Sequence, residues 1–200
     1  MMRVRNNMDW SKIANIEEAK HFISNPHYKN TGGFEANKLM IDRFDFNDKV
    51  VLDFGCGVGR NLKYILETQI PARLIGYDYP NMINFAKQYL KDKNGLILKL
   101  IEYPIDNIKN IRMIDYVIAD VVFQHIPIIE LKNILINLTE MLYPVGSLLV
   151  SSRGYSDYEL GDSDAGANIW EIIGRYFNPI TTVDTNDASE HHQFVEYKAK

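Results

Sequence analysis

The sequence predicts a doubly wound α/β fold, a mostly parallel sheet with helices on both faces. Three observations carry that expectation. From Lys49 onward, short apolar runs alternate with amphipathic helical stretches. The first of those runs ends in a cluster of glycines that opens a helix, a common place for a ligand loop in such sheets. The length, 200 residues with 46% hydrophobic and 24% charged side chains, suits one folded domain with its own core.

Taken in order, residues 1–45 read as an N-terminal helical cap and residues 46–200 as the α/β core of a single domain, 1–200. In the cap, Trp10, Ile13, Ala14, Ile16, Ala19, Phe22 and Ile23 recur at helical spacing up to Asn25-Pro26. After the turn Thr31-Gly32-Gly33, the pattern resumes through Ala36, Leu39, Met40, Ile41 and Phe44. Val50 to Phe54 is a buried strand stopped by Gly55. Leu62, Ile65 and Leu66 mark a helix that ends before Pro71. Arg73 to Tyr77 is the second strand, and Pro80 opens a helix that continues to Leu90. Strands follow at Leu96 to Ile101 and Ile114 to Ala119, then a helix from Ile128 to Leu142 and a strand from Ser147 to Ser151. A helix around Ile169 to Tyr176 and strands near Ile180 to Val183 and His192 to Tyr197 bring the strand count to seven. Ligands of doubly wound sheets sit at the carboxyl ends of the strands, so functional residues are expected just after Phe54, Tyr77, Ile101, Ala119 and Ser151.

Charge narrows the partners. Twenty-two Lys and Arg against 26 Asp and Glu give a net charge of −4 and a pI near 5.7. No run of basic residues supplies the attraction that drives binding to nucleic acid or anionic membranes. The single cysteine, Cys56, excludes an intramolecular disulfide framework and a thiolate-rich zinc site. Arg3 and Arg5 lead into polar residues rather than an apolar stretch, so no signal peptide is expected. No apolar run approaches the roughly 18 residues of a membrane span. The expectation is a soluble, cytoplasmic protein.

The sharpest feature is Val51-Leu52-Asp53-Phe54-Gly55-Cys56-Gly57-Val58-Gly59-Arg60. Three alternate glycines after a buried strand let the backbone turn tightly and approach a ligand, at a helix N-terminus whose amides favour a negative group. A dinucleotide loop needs glycine where Arg60 stands, and a P-loop needs a Lys-Ser/Thr pair that is absent. Asp53 would repel phosphate, so it points to a ligand with donors or positive charge. Asp78, nineteen residues beyond Gly59, is placed to accept hydrogen bonds from ribose hydroxyls across the first strand–helix–strand unit.

These residues resemble the class I, seven-strand S-adenosylmethionine-dependent methyltransferases, which have a Rossmann-like fold. The first motif is Val51 to Gly59, and the second-strand motif is Gly76-Tyr77-Asp78-Tyr79-Pro80-Asn81-Met82. Asp115 to His125 matches the fourth-strand motif and Leu142 to Val150 the turn into the fifth strand. The resemblance implies a last strand that runs antiparallel to the rest, and S-adenosyl-L-methionine as cofactor. It further implies Asp53, Phe54, Gly55, Cys56, Gly57 and Gly59 around the amino-acid portion, and Asp78 on both ribose hydroxyls. Tyr79 and Met82 would pack on the adenosine, and Asp120 and Val121 would line the methionine side. The acidic residue near the adenine is Glu102 or Asp106.

A sulfonium methyl is already activated, so the protein's main task is in-line placement of an acceptor nucleophile. A general base is required only where the acceptor must lose a proton, and His125 is one candidate, with packing beside the cofactor as its alternative. Asp120 is a second candidate, with a cofactor-organising role as its alternative. His191 and His192 alternate across a strand and cannot chelate one metal alone, so no metal is expected. The small size favours a small-molecule methyl acceptor, recognised by the N-terminal segment with Trp10, His27 and Tyr28 and by the acidic, aromatic stretch from Arg153 to Asn168. The alternative is a non-catalytic cofactor-binding or scaffold subunit of the same fold. A macromolecular acceptor fits the absent basic patch less well.

Overall fold

The structure, a computed structural model, describes residues 10–16, 38–91, 95–153, 169–187 and 190–200. Most of the N-terminal cap, with His27 and Tyr28, and the stretch from Gly154 to Asn168 lie outside the described residues. So do the side chains of Trp10, His191 and His192.

Seven strands form one sheet: β1 Val50–Phe54, β2 Arg73–Asp78, β3 Leu98–Glu102, β4 Ile114–Asp120, β5 Leu142–Arg153, β6 Phe177–Asp187 and β7 Glu190–Ala199. The helices of the sheet region are α1 Arg60–Thr68, α2 Pro80–Tyr89, α3 Ile128–Met141 and α4 Ile169–Gly174, and residues 38–41 before β1 are helical too. The strand order is β3-β2-β1-β4-β5-β7-β6. The pairs among β1 to β5 are parallel, and β7 runs antiparallel to both β5 and β6. The order reverses between β1 and β4, which puts the crevice at the carboxyl ends of those two strands.

The period-two alternation of each strand sorts the core into two layers. Leu52, Ile75, Val117 and Leu148 face α3, where Leu131, Leu135 and Leu138 are sealed from solvent. Val51, Leu74, Ile118 and Leu149 face Leu62 and Ile65 of α1 and Ile83 and Ala86 of α2. Each such side chain contributes about 1.5–3 kcal/mol through burial. These strands read as near-continuous apolar runs because both faces are covered.

Boundaries differ from the predicted ones at the far side of the sheet. Strand β5 begins at Leu142, directly after α3, rather than at Ser147, and the register against β4 shifts between Ile114 and Tyr116. That irregularity takes up Pro144 and Gly146, residues that read as a turn. Strands β6, with 11 residues, and β7, with 10, both extend beyond their predicted bounds at each end and pair from Phe177↔Ala199 to Asp187↔Glu190. Pro179 is tolerated in β6 because β6 is an edge strand.

Candidate cofactor and active site

The same alternation that builds the core also gathers the site. Asp53 on β1, Asp78 on β2, Asp120 on β4 and Ser151 on β5 share the parity of Val51, Leu74, Ile118 and Leu149, and so the α1 face of the sheet. Asp53 pairs in register with Ile118, and Asp120 with Ser151. Three carboxylates therefore meet where the strand order reverses.

Between them lies the glycine loop. Gly55, Gly57 and Gly59 have φ of 77°, 56° and 87°, left-handed values that L side chains rarely adopt. At Gly55 a Cβ would also stand 2.3 Å from Val122 Cγ2, so glycine lets the segment after β4 close onto the loop. The amides of Gly55 and Cys56 donate to Tyr77 O at 2.8 and 3.1 Å. Asp78 braces the same loop: Gly57 N–H donates to its Oδ2 at 2.7 Å and Tyr79 N–H to its Oδ1 at 2.6 Å. Burial raises the Asp78 carboxyl to about 6, against the pull of those two amide bonds.

Asp120 is held from two elements. Ser151 Oγ donates to its Oδ1, and Asn61 Nδ2, in the first turn of α1, reaches its Oδ2 at 3.3 Å. Asp53 differs. It is 1% exposed, and neither of its oxygens has a hydrogen-bond partner. Burial first, then the charges of Asp120 and Asp78, raise its carboxyl well above the ordinary range, while Asn61 and Arg60 pull it back. A buried acceptor pair without donors is costly and fits a cationic, hydrogen-donating ligand group, which is the chemistry of an amino-acid ammonium.

The remaining candidates fall around this centre. Phe54 lies beneath it on the opposite face, 5.0 Å from the Tyr77 ring and 5.9 Å from Phe123. Cys56 is buried, and burial with the charges of Asp78 and Asp53 pushes its thiol up, so the thiol stays protonated. Met82 is 2% exposed and clusters with Ile13, Val58 and Phe85, with Tyr79 packed against them. Asn81 Nδ2 donates to Ile13 O at 3.0 Å, so the described part of the N-terminal segment sits against the start of α2. Val121 adopts φ 55° and donates its N–H to Ser151 O at 3.1 Å. A β-branched residue in that region is strained, and such strain concentrates at functional sites. Glu102 pairs in register with Asp78 and sits 3.4 Å from Lys87 Nζ, whereas Asp106 pairs with Lys109 at 2.7 Å. His125 closes the short 3-10 turn Phe123–His125 and is exposed, its ring nitrogen 3.3 Å from Gln124 Nε2.

Three residues of this region escaped the sequence reading. Asn61 and Ser151 hold Asp120, and the available signal was the shared parity and register of Ser151 with Asp120. Tyr103, after β3, lies 5.3 Å from the Tyr79 ring and 3.4 Å from Glu130 Oε1. No motif marked it. Among the described residues no cluster of three or more His, Cys, Asp or Glu side chains is arranged to hold a metal ion. No described helix is long and apolar enough to cross a membrane.

Residues 52–148 match the sequence profile of a family described as a methyltransferase domain. That match assigns a methyltransferase domain to residues 52–148, and the strand order agrees with the resemblance to the class I, seven-strand S-adenosylmethionine-dependent methyltransferases. Two curated relatives are similar to it. Phosphoethanolamine N-methyltransferase 1 of Triticum aestivum is 32% identical over a stretch covering 38% of this chain and 19% of its own. Phosphoethanolamine N-methyltransferase of Plasmodium falciparum is 26% identical, covering 72% of this chain and 54% of its own. The chain thus spans about a fifth and about half of these two proteins. In fold it is similar to the N-methyltransferase NodS of Bradyrhizobium japonicum, solved with S-adenosyl-L-homocysteine. That match has a TM-score of 0.70 and 16% identity, and covers 92% of this chain and 97% of the other.

Proposed function

We propose that this protein binds S-adenosyl-L-methionine at the acid-lined crevice and transfers its methyl group to a small-molecule acceptor. The observation that carries the reading is Asp53: a buried carboxylate with both oxygens unpartnered, beside a left-handed glycine loop braced by Asp78. Asp53 would face the ammonium, with Gly55, Gly57 and Gly59 giving close backbone approach. Asp78 would accept from the ribose hydroxyls through lone pairs that its two amide bonds leave open. Tyr79 would pack against the adenosine, with Met82 supporting it from below, and Glu102, beside Asp78 in the sheet, is favoured over Asp106 for the adenine side. When bound, the cofactor supplies an electrophilic methyl on a sulfonium, so the chain need only orient the acceptor and exclude water.

Asp120 is engaged by Ser151 and Asn61, which supports an organising rather than a proton-abstracting role. His125 is exposed at the end of its turn and remains the base candidate where an acceptor must lose a proton. The cap segment around Ile13 would close over Val58 and Met82. The names of the two curated relatives support an amine acceptor such as phosphoethanolamine.

Isothermal titration with S-adenosylmethionine and S-adenosylhomocysteine tests the binding claim. Micromolar binding that is lost in Asp78→Ala is expected, and no binding at millimolar ligand would overturn it. Incubation with methyl-labelled cofactor and a panel of small amines, phosphoethanolamine included, then tests transfer. Binding with no labelled product across nucleophile classes would instead favour a cofactor-binding subunit without catalysis.

A further inference from the structure

The crevice contains two neighbouring carboxylates treated very differently by the fold. Asp120 receives a hydroxyl from Ser151 and an amide from Asn61. Asp53, one strand away, receives nothing, and 1% of its surface reaches solvent. A carboxylate is stable in such a place only with donors or a counter-charge. The groups around Asp53 are Asp120 on β4, Asp78 on β2, Cys56 in the loop and Arg60 and Asn61 at the start of α1. Two of these are acids, Cys56 is neutral, and Asn61, which lies 3.3 Å from Asp120 Oδ2, only partly offsets the upward push on Asp53. Arg60 alone brings positive charge, and it is the weakest of the named influences.

We propose that Asp53, which would face the ammonium of the cofactor, holds a proton in the ligand-free protein, and that the incoming ammonium group displaces that proton to solvent. Asn61 and Ser151 are positioning residues in this scheme. By donating to Asp120 they fix its carboxyl beside Asp53, and an acid at that place favours a proton on Asp53 until a cation arrives. Binding then exchanges one positive charge for another at the buried Asp53 carboxyl. The direction of the Asp53 shift, upward through burial and then Asp120, agrees with this geometry.

The inference rests on the cofactor reading above, and one experiment separates the two. S-adenosylhomocysteine is titrated calorimetrically into the full chain at pH 7.5, in buffers of different ionisation enthalpy. At that pH Asp78, at about 6, is almost wholly ionised beforehand and contributes little. The slope of heat against buffer enthalpy should report release of about one proton per ligand bound. An analogue lacking the α-amino group, if it binds, should release close to none. Asp120→Asn should lower the release, because Asp53 then ionises more readily, and Asp53→Asn should bring it near zero. Binding with no proton released by the unaltered chain overturns the exchange while leaving the cofactor reading intact. Absence of binding overturns both.

Discussion

At the scale of single residues, the site is built from positions where the side chain's size or charge has no substitute. Gly55 has a left-handed φ of 77° and its missing Cβ is what admits Val122. Gly55→Ala adds about 1–2 kcal/mol of backbone strain and a clash with a β-branched neighbour that cannot rotate away. Its expected signature is a lower urea midpoint together with at least tenfold weaker S-adenosylhomocysteine binding, both readable by fluorescence. Asp78 is unforgiving for a different reason. Each of its oxygens already accepts a backbone N–H, from Gly57 and from Tyr79. Asp78→Asn keeps the shape but must turn an NH2 toward one of those donors, leaving a polar pair unsatisfied at a cost of about 1–3 kcal/mol. Binding should weaken by roughly tenfold to a hundredfold, and near-unchanged affinity would show that the carboxylate is not what braces the loop.

At the scale of elements, the parallel half of the sheet was legible because its strands are buried on both faces and bounded by glycine or proline. Val50–Phe54 and Ile114–Asp120 begin where the apolar runs begin, and the glycine loop and Asp78 follow at the ends of their strands. The antiparallel half was harder to bound. Thr181, Thr182 and Glu196 leave no clean alternation, and the extent of β6 is set by pairing with β7 rather than by its own residues. Asn61 and Ser151 were invisible for a related reason: a lone Asn or Ser has no signature until register sets Ser151 beside Asp120. Helix α3 shows how separable support and chemistry are. Leu135 is fully buried between α3 and the face of the sheet opposite the carboxylates. Leu135→Ala should cost about 2–5 kcal/mol of unfolding free energy. Well below the melting temperature, the same variant should keep its ligand affinity to within about 0.5 kcal/mol. A large affinity loss in the still-folded variant would mean that this face of the sheet reports directly to the crevice.

For the whole molecule, the convergence of three acids in one crevice couples pH to stability and binding in opposite directions. Asp78, raised to about 6 from an ordinary value near 3.8, and Asp53, also raised, by burial and then by Asp120, are both easier to protonate folded than unfolded. Their contribution to ligand-free stability is therefore fully present below the unfolded value and is lost as pH rises through the folded one. From pH 7.5 down to 5.5, these two groups should hold the ligand-free melting temperature level or raise it. Affinity runs the other way, because a protonated Asp78 has one acceptor fewer for a ribose and a protonated Asp53 offers no charge to an ammonium. Below about pH 6 the dissociation constant of S-adenosylhomocysteine should climb roughly tenfold per unit from Asp78 alone, with Asp53 steepening the slope. Thermal unfolding with and without ligand, measured across this range, puts both trends in one data set: the gap between the two curves should narrow as pH falls. A gap that stays constant from pH 7.5 to 5 would mean that neither carboxylate changes its proton when the crevice fills.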